Sequence, residues 1–295
     1  MTELAPLAVS LGDPAGVGPE LIAEAWARRG AEGLAPYFVT GAPELLAEAA
    51  RVRGLAVPIV ELFHPSEALG AFDHGLPVLL GIDGEYRPGA PDRSGAELAL
   101  ASLTEVAQLA VSGEASGIVT GPIAKSRLAE VGFSHPGQTE FVAAACGIAA
   151  EDAVMMLAGP SLRTVPLTVH VALAAVPGLI TSELIVRRAR IVGASLQRDF
   201  GIAQPRIAIA ALNPHAGEDG RMGDEDAAVI VPAVKLPEVS RKTIVLTLFK
   251  LVAVVAEFAT LPVVVIVANF VSVIVLAVIS ALTINDEVKL PEASL

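Results

Sequence analysis

From the N-terminus to about residue 233 the chain alternates short apolar runs with amphipathic stretches, and glycine or proline closes most of the runs. LAVSLG leads into DPAGVGPELIAEAWARRG, and YFVTG into APELLAEAARVRG. The long GAELALASLTEVAQLAVSG precedes ASGIVTGPIAKS. TEFVAAACG, AVMMLAG, TVPLTVHVAL, SELIVRRARIVGASLQRDFG and RIAIAALNPHAG continue the pattern. The short runs read as strands, and the stretches with apolar residues three and four apart read as helices. Strands and helices alternating at this spacing imply a mostly parallel sheet covered on both faces, so the expected fold class is α/β.

A chain of 295 residues can bury a substantial core as one large or two ordinary domains. Cys146 is the single cysteine, which excludes an intramolecular disulfide framework and fits a reducing compartment. The opening MTELAPLAVS lacks the basic and long apolar regions of a secretory signal, so a cytoplasmic setting is expected. A formal charge of −12 argues against nucleic-acid binding, which needs a basic surface. An anionic substrate would have to be held by a local cluster of donors.

In open parallel sheets, ligands sit beyond the carboxyl ends of the strands. Glycine- and proline-rich breaks at 12–19, 121–125, 135–140 and 213–220 are expected at or near such ends. GDPAGVGPE has neither the Walker A spacing nor that of a G-x-G-x-x-G fingerprint, so no familiar dinucleotide motif is read from it. His170 and His215 each close an apolar run, which suggests either a metal or acid/base site or two ordinary loop residues. Lys125, the only lysine before residue 234, reads as a phosphate or carboxylate contact or as a solvated helix-start charge. Asp13 reads as a helix cap in preference to a ligand contact. Glu218 reads as a partner of a metal histidine or as a loop carboxylate. His64 and His74 fall in a polar stretch and are expected on the surface.

LGDPAGVGPEL, GIVTGPIAKSRLAEVGFSHPGQTEFVA, TVHVAL and LNPHAGEDGRMGDED, taken together, resemble the 4-hydroxythreonine-4-phosphate dehydrogenase family over about residues 5–233. That resemblance implies a fold of the isocitrate/isopropylmalate dehydrogenase type, with two α/β domains and a central cleft. The first domain would comprise 1–125 plus about 265–295, and the second about 126–264, carrying the metal histidines and the dimer contacts. It also implies a homodimer that uses NAD, with NADP as the alternative, to oxidise the secondary alcohol of a phosphorylated hydroxy acid. The resulting β-keto acid then loses carbon dioxide. His170 and His215 match the first two of the family's three metal histidines, for zinc or alternatively magnesium or cobalt. The motif around His135 implies substrate contacts at Gln138 and Thr139, where many members have histidine in place of Gln138. His135 and Lys125 are further candidates for the substrate pocket. Catalytic and NAD-binding residues are not assigned. Hydride loss from an alcohol is easier as its hydroxyl loses a proton, and a cation held by neutral imidazoles favours the deprotonated oxygen. A dehydrogenase of a four-carbon sugar-acid phosphate and a catalytically silent metal- or ligand-binding protein are the alternatives.

Past Gly223 the composition changes. All 26 glycines lie at or before that residue, the family's third metal histidine has no match, and no histidine follows His215. VKLPEVS at 234–240 returns as VKLPEAS at 288–294, and residues 258–284 carry no charge. Three readings of this tail stand: a frame-shifted or misassigned stretch, buried segments closing the sheet, or a membrane anchor. No membrane partner is expected.

Overall fold

The computed structural model describes residues 5–159, 162–213, 215–218, 220–235, 243–246 and 264–268. The chain divides into two compact units, Met1–Glu151 and Asp152–Leu295.

In the first unit, β1 (Leu7–Ser10), α1 (Gly18–Glu32), β2 (Tyr37–Thr40), α2 (Pro43–Val52) and β3 (Ile59–Leu62) follow one another. The short α3 (Ala68–Ala71), β4 (Leu76–Leu79), α4 (Arg93–Ser112) and β5 (Gly117–Val119) come next, then α5 (Lys125–Glu130) and α6 (Gln138–Ala145). The five strands are parallel, in the order β3-β4-β2-β1-β5. Side chains alternate across the sheet. Val9, Leu11, Tyr37 and Val39 pack with Ile22 and Trp26 of α1 and Leu45 and Leu46 of α2. Ala8, Phe38 and Leu79 pack with Ala99, Leu103 and Val106 of α4. The two-residue period of the strands thus meets a helical stripe on each face, which is why these strands carry almost no exposed residues. Fully buried side chains such as Phe38 and Leu103 each contribute about 2 kcal/mol.

Local signals set the helix ends. Pro19 and Glu20 occupy the first turn of α1, and Gly33 closes it in the left-handed conformation. Asp92 caps α4 by accepting from the Gly95 N–H at 2.8 Å. The Ser102 hydroxyl of α4 accepts from the Leu11 N–H at 2.9 Å and donates to the Thr40 carbonyl. These buried bonds fix α4 against the carboxyl ends of β1 and β2.

The second unit holds β6 (Leu157–Ala158), β7 (Arg163–Pro166), α7 (Val176–Leu179), α8 (Ser182–Arg198) and β8 (Arg206–Ala210). A π-helical turn (Asp226–Ile230) runs into α9 (Val231–Lys235), and β9 (Thr243–Leu246) and β10 (Val264–Ala268) follow. Its sheet has the order β6-β7-β10-β8-β9 and is parallel except for the antiparallel edge strand β6. Thr181 caps α8 by accepting from the Leu184 N–H. The helix buries Ile185, Ala189, Val192 and Leu196 against Val165, Ile207 and Ile209.

The expected α/β architecture with parallel strands is present, with local differences. TVPLTVHVAL is a strand only at Arg163–Pro166, which leaves His170 on a loop beyond it. AVMMLAG contributes only Leu157–Ala158. Within the tail, β10 pairs in the second sheet, while 236–242, 247–263 and 269–295 lie outside the described residues. Most of the uncharged segment at 258–284 is therefore outside them as well. Among the described residues no helix is long and apolar enough to cross a membrane.

Candidate functional site

In the first unit β2, β4 and β3 lie to one side of β1, and β5 lies to the other. The direction of chain winding reverses between β1 and β5, and the crevice beyond their carboxyl ends is where ligands of such sheets bind. Two backbone segments cross there at close range. A Cβ on Gly121 would lie 2.7 Å from both the Gly12 nitrogen and the Ser10 oxygen, so only glycine fits. The Gly121 N–H donates to Ser10 Oγ at 3.0 Å, and the Asp13 N–H donates to the Pro122 carbonyl at 2.9 Å. Asp13 does not cap α1. Its carboxylate accepts from the Ala15 N–H at 2.9 Å, two residues ahead, while Val17 stands at the N-cap without a side-chain bond. The turn at 13–16 intervenes, which puts α1 out of the carboxylate's reach.

The 135–140 segment follows α5 and not a strand, yet it delivers Gln138 to the same place. Gln138 Nε2 donates to the Gly121 carbonyl at 3.1 Å, and Thr120 Oγ1 approaches Gln138 Oε1 at 3.5 Å. Thr139 is half-buried beside it on the first turn of α6. Lys125 lies at the start of α5. Its Nζ lies 3.6 Å, and Glu140 Oε2 3.0 Å, from where a Cβ on Gly137 would be. A cation and a carboxylate therefore gather over Gly137. The His135 ring packs edge-on against Phe133 at 5.6 Å and Phe141 at 5.4 Å, in an aromatic cluster. His64 and His74 are exposed, as expected.

In the second unit β7 and β8 both pair in parallel with β10, so their carboxyl ends lie on one edge, two strand spacings or about 10 Å apart. Val165 and Ile209 stand level across β10, both opposite Val267. His170 follows the first by five residues and His215 follows the second by six. Both histidines are exposed. His170 holds φ at 57°, a left-handed conformation that costs a non-glycine residue about 1–2 kcal/mol. Ala216 and Glu218 do the same at 50° and 44°.

Asn213 organises the second of these loops. Its Oδ1 accepts from the His215 N–H at 2.9 Å and from the Gly217 N–H at 3.2 Å. Its amide nitrogen reaches Asp226 Oδ2 at 3.5 Å, and Asp226 Oδ1 accepts from the Leu212 N–H at 2.9 Å. Asp226 is 2% exposed, and burial pushes its carboxyl above the ordinary range, with the backbone donors at Leu212 and Asn213 pulling the other way. His215 Nδ1 lies 3.0 Å from Glu218 Oε1. A neutral ring donating from Nδ1 to that carboxylate would turn Nε2 to an ion, the arrangement common to metal-bound histidines. Two neutral imidazoles suit a divalent cation of borderline softness. Among the described residues no group of three or more His, Cys, Asp or Glu side chains is gathered so that it could hold a metal ion. Sequence reasoning did not single out Asp226, Asn213, Thr120 or the Gly121 carbonyl.

These features define an α/β protein with its candidate site residues on helix starts and on loops past the carboxyl ends of parallel strands. Residues 33–245 match the model of a family described as pyridoxal phosphate biosynthetic protein PdxA, and the chain belongs to that family. A relative from Erythrobacter litoralis, named 4-hydroxythreonine-4-phosphate dehydrogenase, is 58% identical over 229 residues, covering 78% of this chain and 68% of the relative. One of the same name from Zymomonas mobilis is 47% identical over 232 residues, with the same coverage. The crystal structure of 4-hydroxythreonine-4-phosphate dehydrogenase from Klebsiella pneumoniae is similar at a TM-score of 0.77 and 27% identity, covering 93% of this chain and 85% of that one.

Proposed function

We propose that this chain is an NAD-dependent 4-hydroxythreonine-4-phosphate dehydrogenase of pyridoxal phosphate biosynthesis, with His170 and His215 as ligands of a divalent metal. The observation that carries the reading is the pair of imidazoles past parallel strand ends that flank β10, one with Nδ1 held by Glu218, in a chain of the PdxA family. The finer fold assignment, to the isocitrate/isopropylmalate dehydrogenase type, belongs to the same reading. So do the homodimer, a cytoplasmic setting and zinc as the ion.

The reaction needs the secondary alcohol to lose a proton from oxygen and a hydride from carbon, the hydride passing to NAD. The β-keto acid then breaks its bond to the carboxylate, carbon dioxide leaves, and the electron pair remains with the product until a proton replaces it. A bound divalent cation would supply stabilisation of negative charge on the reacting oxygen. The protein's own groups bind and orient. Gln138, held at the Gly121 carbonyl, and Thr139 on α6 present uncharged hydrogen-bonding groups to substrate oxygens. Lys125, beside Gly137, offers an ammonium to phosphate or carboxylate, and His135 lines the same segment. Fixing the hydroxyl and carboxylate in one geometry is what makes oxidation and carbon dioxide loss productive in sequence.

The test is NADH formation from 4-hydroxythreonine 4-phosphate with added divalent metal, run beside a four-carbon sugar-acid phosphate as the competing substrate. The expected result is metal-dependent turnover of the first substrate. In His170→Ala and His215→Ala, metal content and turnover should both fall by more than about 100-fold, beyond what loss of an outer hydrogen-bond partner costs. Variants that keep full metal content and activity overturn the assignment.

A further inference from the structure

Three acidic residues follow Gly223 in succession, and the fold treats them differently. Asp224 and Glu225 keep contact with solvent, whereas Asp226 is 2% exposed at the start of the π-helical turn. Burying a carboxylate is unfavourable unless hydrogen bonds compensate, and an apolar side chain would sit comfortably beside the neighbouring Ile230 and Ala233 of the core. What Asp226 does with its two oxygens accounts for its presence. One takes the Leu212 N–H, fixing the chain as it leaves β8, and the other meets the Asn213 amide nitrogen. That contact, together with the bond the same nitrogen donates to the Met222 carbonyl at 3.4 Å, orients the Asn213 side chain so that its oxygen faces the His215 and Gly217 N–H groups. The sequence of contacts runs from a buried carboxylate, through one amide, to the backbone of the histidine.

We propose that Asp226 is a positioning residue for the metal ligand His215, acting through Asn213 and touching neither the ion nor the substrate. The proposal rests on the reading of His215 as a ligand. Loss of such an outer partner lowers metal affinity by about 10–100-fold while leaving the ligands themselves in place.

The decisive variant is Asp226→Asn, which keeps the volume and the acceptor for Leu212 but turns an N–H donor toward the Asn213 amide. Zinc affinity, measured by competition with a chromogenic chelator, should fall about 10-fold. Turnover at saturating zinc should stay within about twofold of the parent, because the ligands are unchanged. The double variant Asp226→Asn/Asn213→Asp makes carboxylate and amide trade places. It restores a donor-acceptor pair between the two positions and an acceptor for the His215 N–H, so zinc affinity should recover. A role confined to stability would not give that reciprocal rescue. Should Asp226→Asn fail to fold, Asn213→Ala breaks the same link from the loop side and should show the same loss. Parent-like zinc affinity in Asp226→Asn, or a loss that the double variant does not repair, overturns the proposal. A parent protein whose zinc affinity is unchanged by His215→Ala instead overturns the ligand reading on which it rests.

Discussion

Where the first unit's site is built, the left-handed backbone falls on glycine, Gly12 at φ 74°, whereas beyond β7 and β8 it also falls on His170, Ala216 and Glu218 at 57°, 50° and 44°. The first site is held by atoms that leave no room: Gly12 and Gly121 cross so closely that a single methyl group would strike backbone. The second is held by polar contacts that oppose local strain, with Asn213, Asp226 and Glu218 fastening a loop whose residues would otherwise relax. Strain of this kind persists where surrounding structure over-determines it, and it gathers at functional sites. The first unit thus builds a rigid shelf, and the second builds a strained loop held by polar contacts.

The largest effect that would test this is on the shelf. Gly121→Ala should cost about 3 kcal/mol of stability, because the added Cβ meets backbone atoms that cannot swing aside; urea unfolding measures it. A loss under about 1 kcal/mol would show the crossing to be softer than its geometry, and the contrast would fail. Next is Glu218→Gln, which leaves His215 Nδ1 with a neutral partner. It should weaken zinc about 10-fold with no comparable loss of stability. Smaller again, Ala216→Gly should stabilise by up to about 1 kcal/mol by releasing left-handed strain, the opposite sign from the change at Gly121. Thermal denaturation of the pair gives both signs in one experiment.

The smallest contrast concerns two carboxyls. Asp226 is buried and hydrogen-bonded, whereas Glu105 on α4 is half-buried with no hydrogen-bond partner for its Oε2 among the described residues, and burial pushes that carboxyl above its ordinary range. A folded-state value above the unfolded one means that the ionised form is disfavoured in the fold. The penalty is therefore full at neutral pH and vanishes as pH falls below the unfolded carboxylate range. Glu105→Gln should gain about 1 kcal/mol at neutral pH, and the gain should fade on acidification. A gain that does not depend on pH would assign it to packing.

The elements read most readily from the sequence were those with strong local signals. The apolar period of α4 and its closing Gly113 locate that helix to within two residues, and β1 and β2 stand as expected. β3 and β4 were not among the expected strands. Ile59–Leu62 is a half-exposed edge strand, and Leu76–Leu79 carries Pro77, a residue that ordinarily argues against a strand lying between two others. At the site, His170 and His215 stood out because each interrupts an apolar run. Asp226 could not stand out, because three consecutive acids look alike until tertiary structure buries one of them. Gln138 was legible as a residue but not as a neighbour of Gly121, since that bond joins a helix start to a strand end 17 positions away.

The turn that carries Asp226 closes with the Val231 N–H on the Asp226 carbonyl, five residues back where an ordinary helix would count four. The surplus residue is taken up inside one wide turn, so the helix resumes after it in nearly the phase an ordinary turn would give. Deleting Ala227 or Ala228 would let that turn close at the ordinary pitch and leave Ala233 among its apolar neighbours. Adding a residue there would instead swing α9 by about a quarter of a revolution and take Ala233 out of the core. This stretch should therefore tolerate a shortening by one letter better than a lengthening.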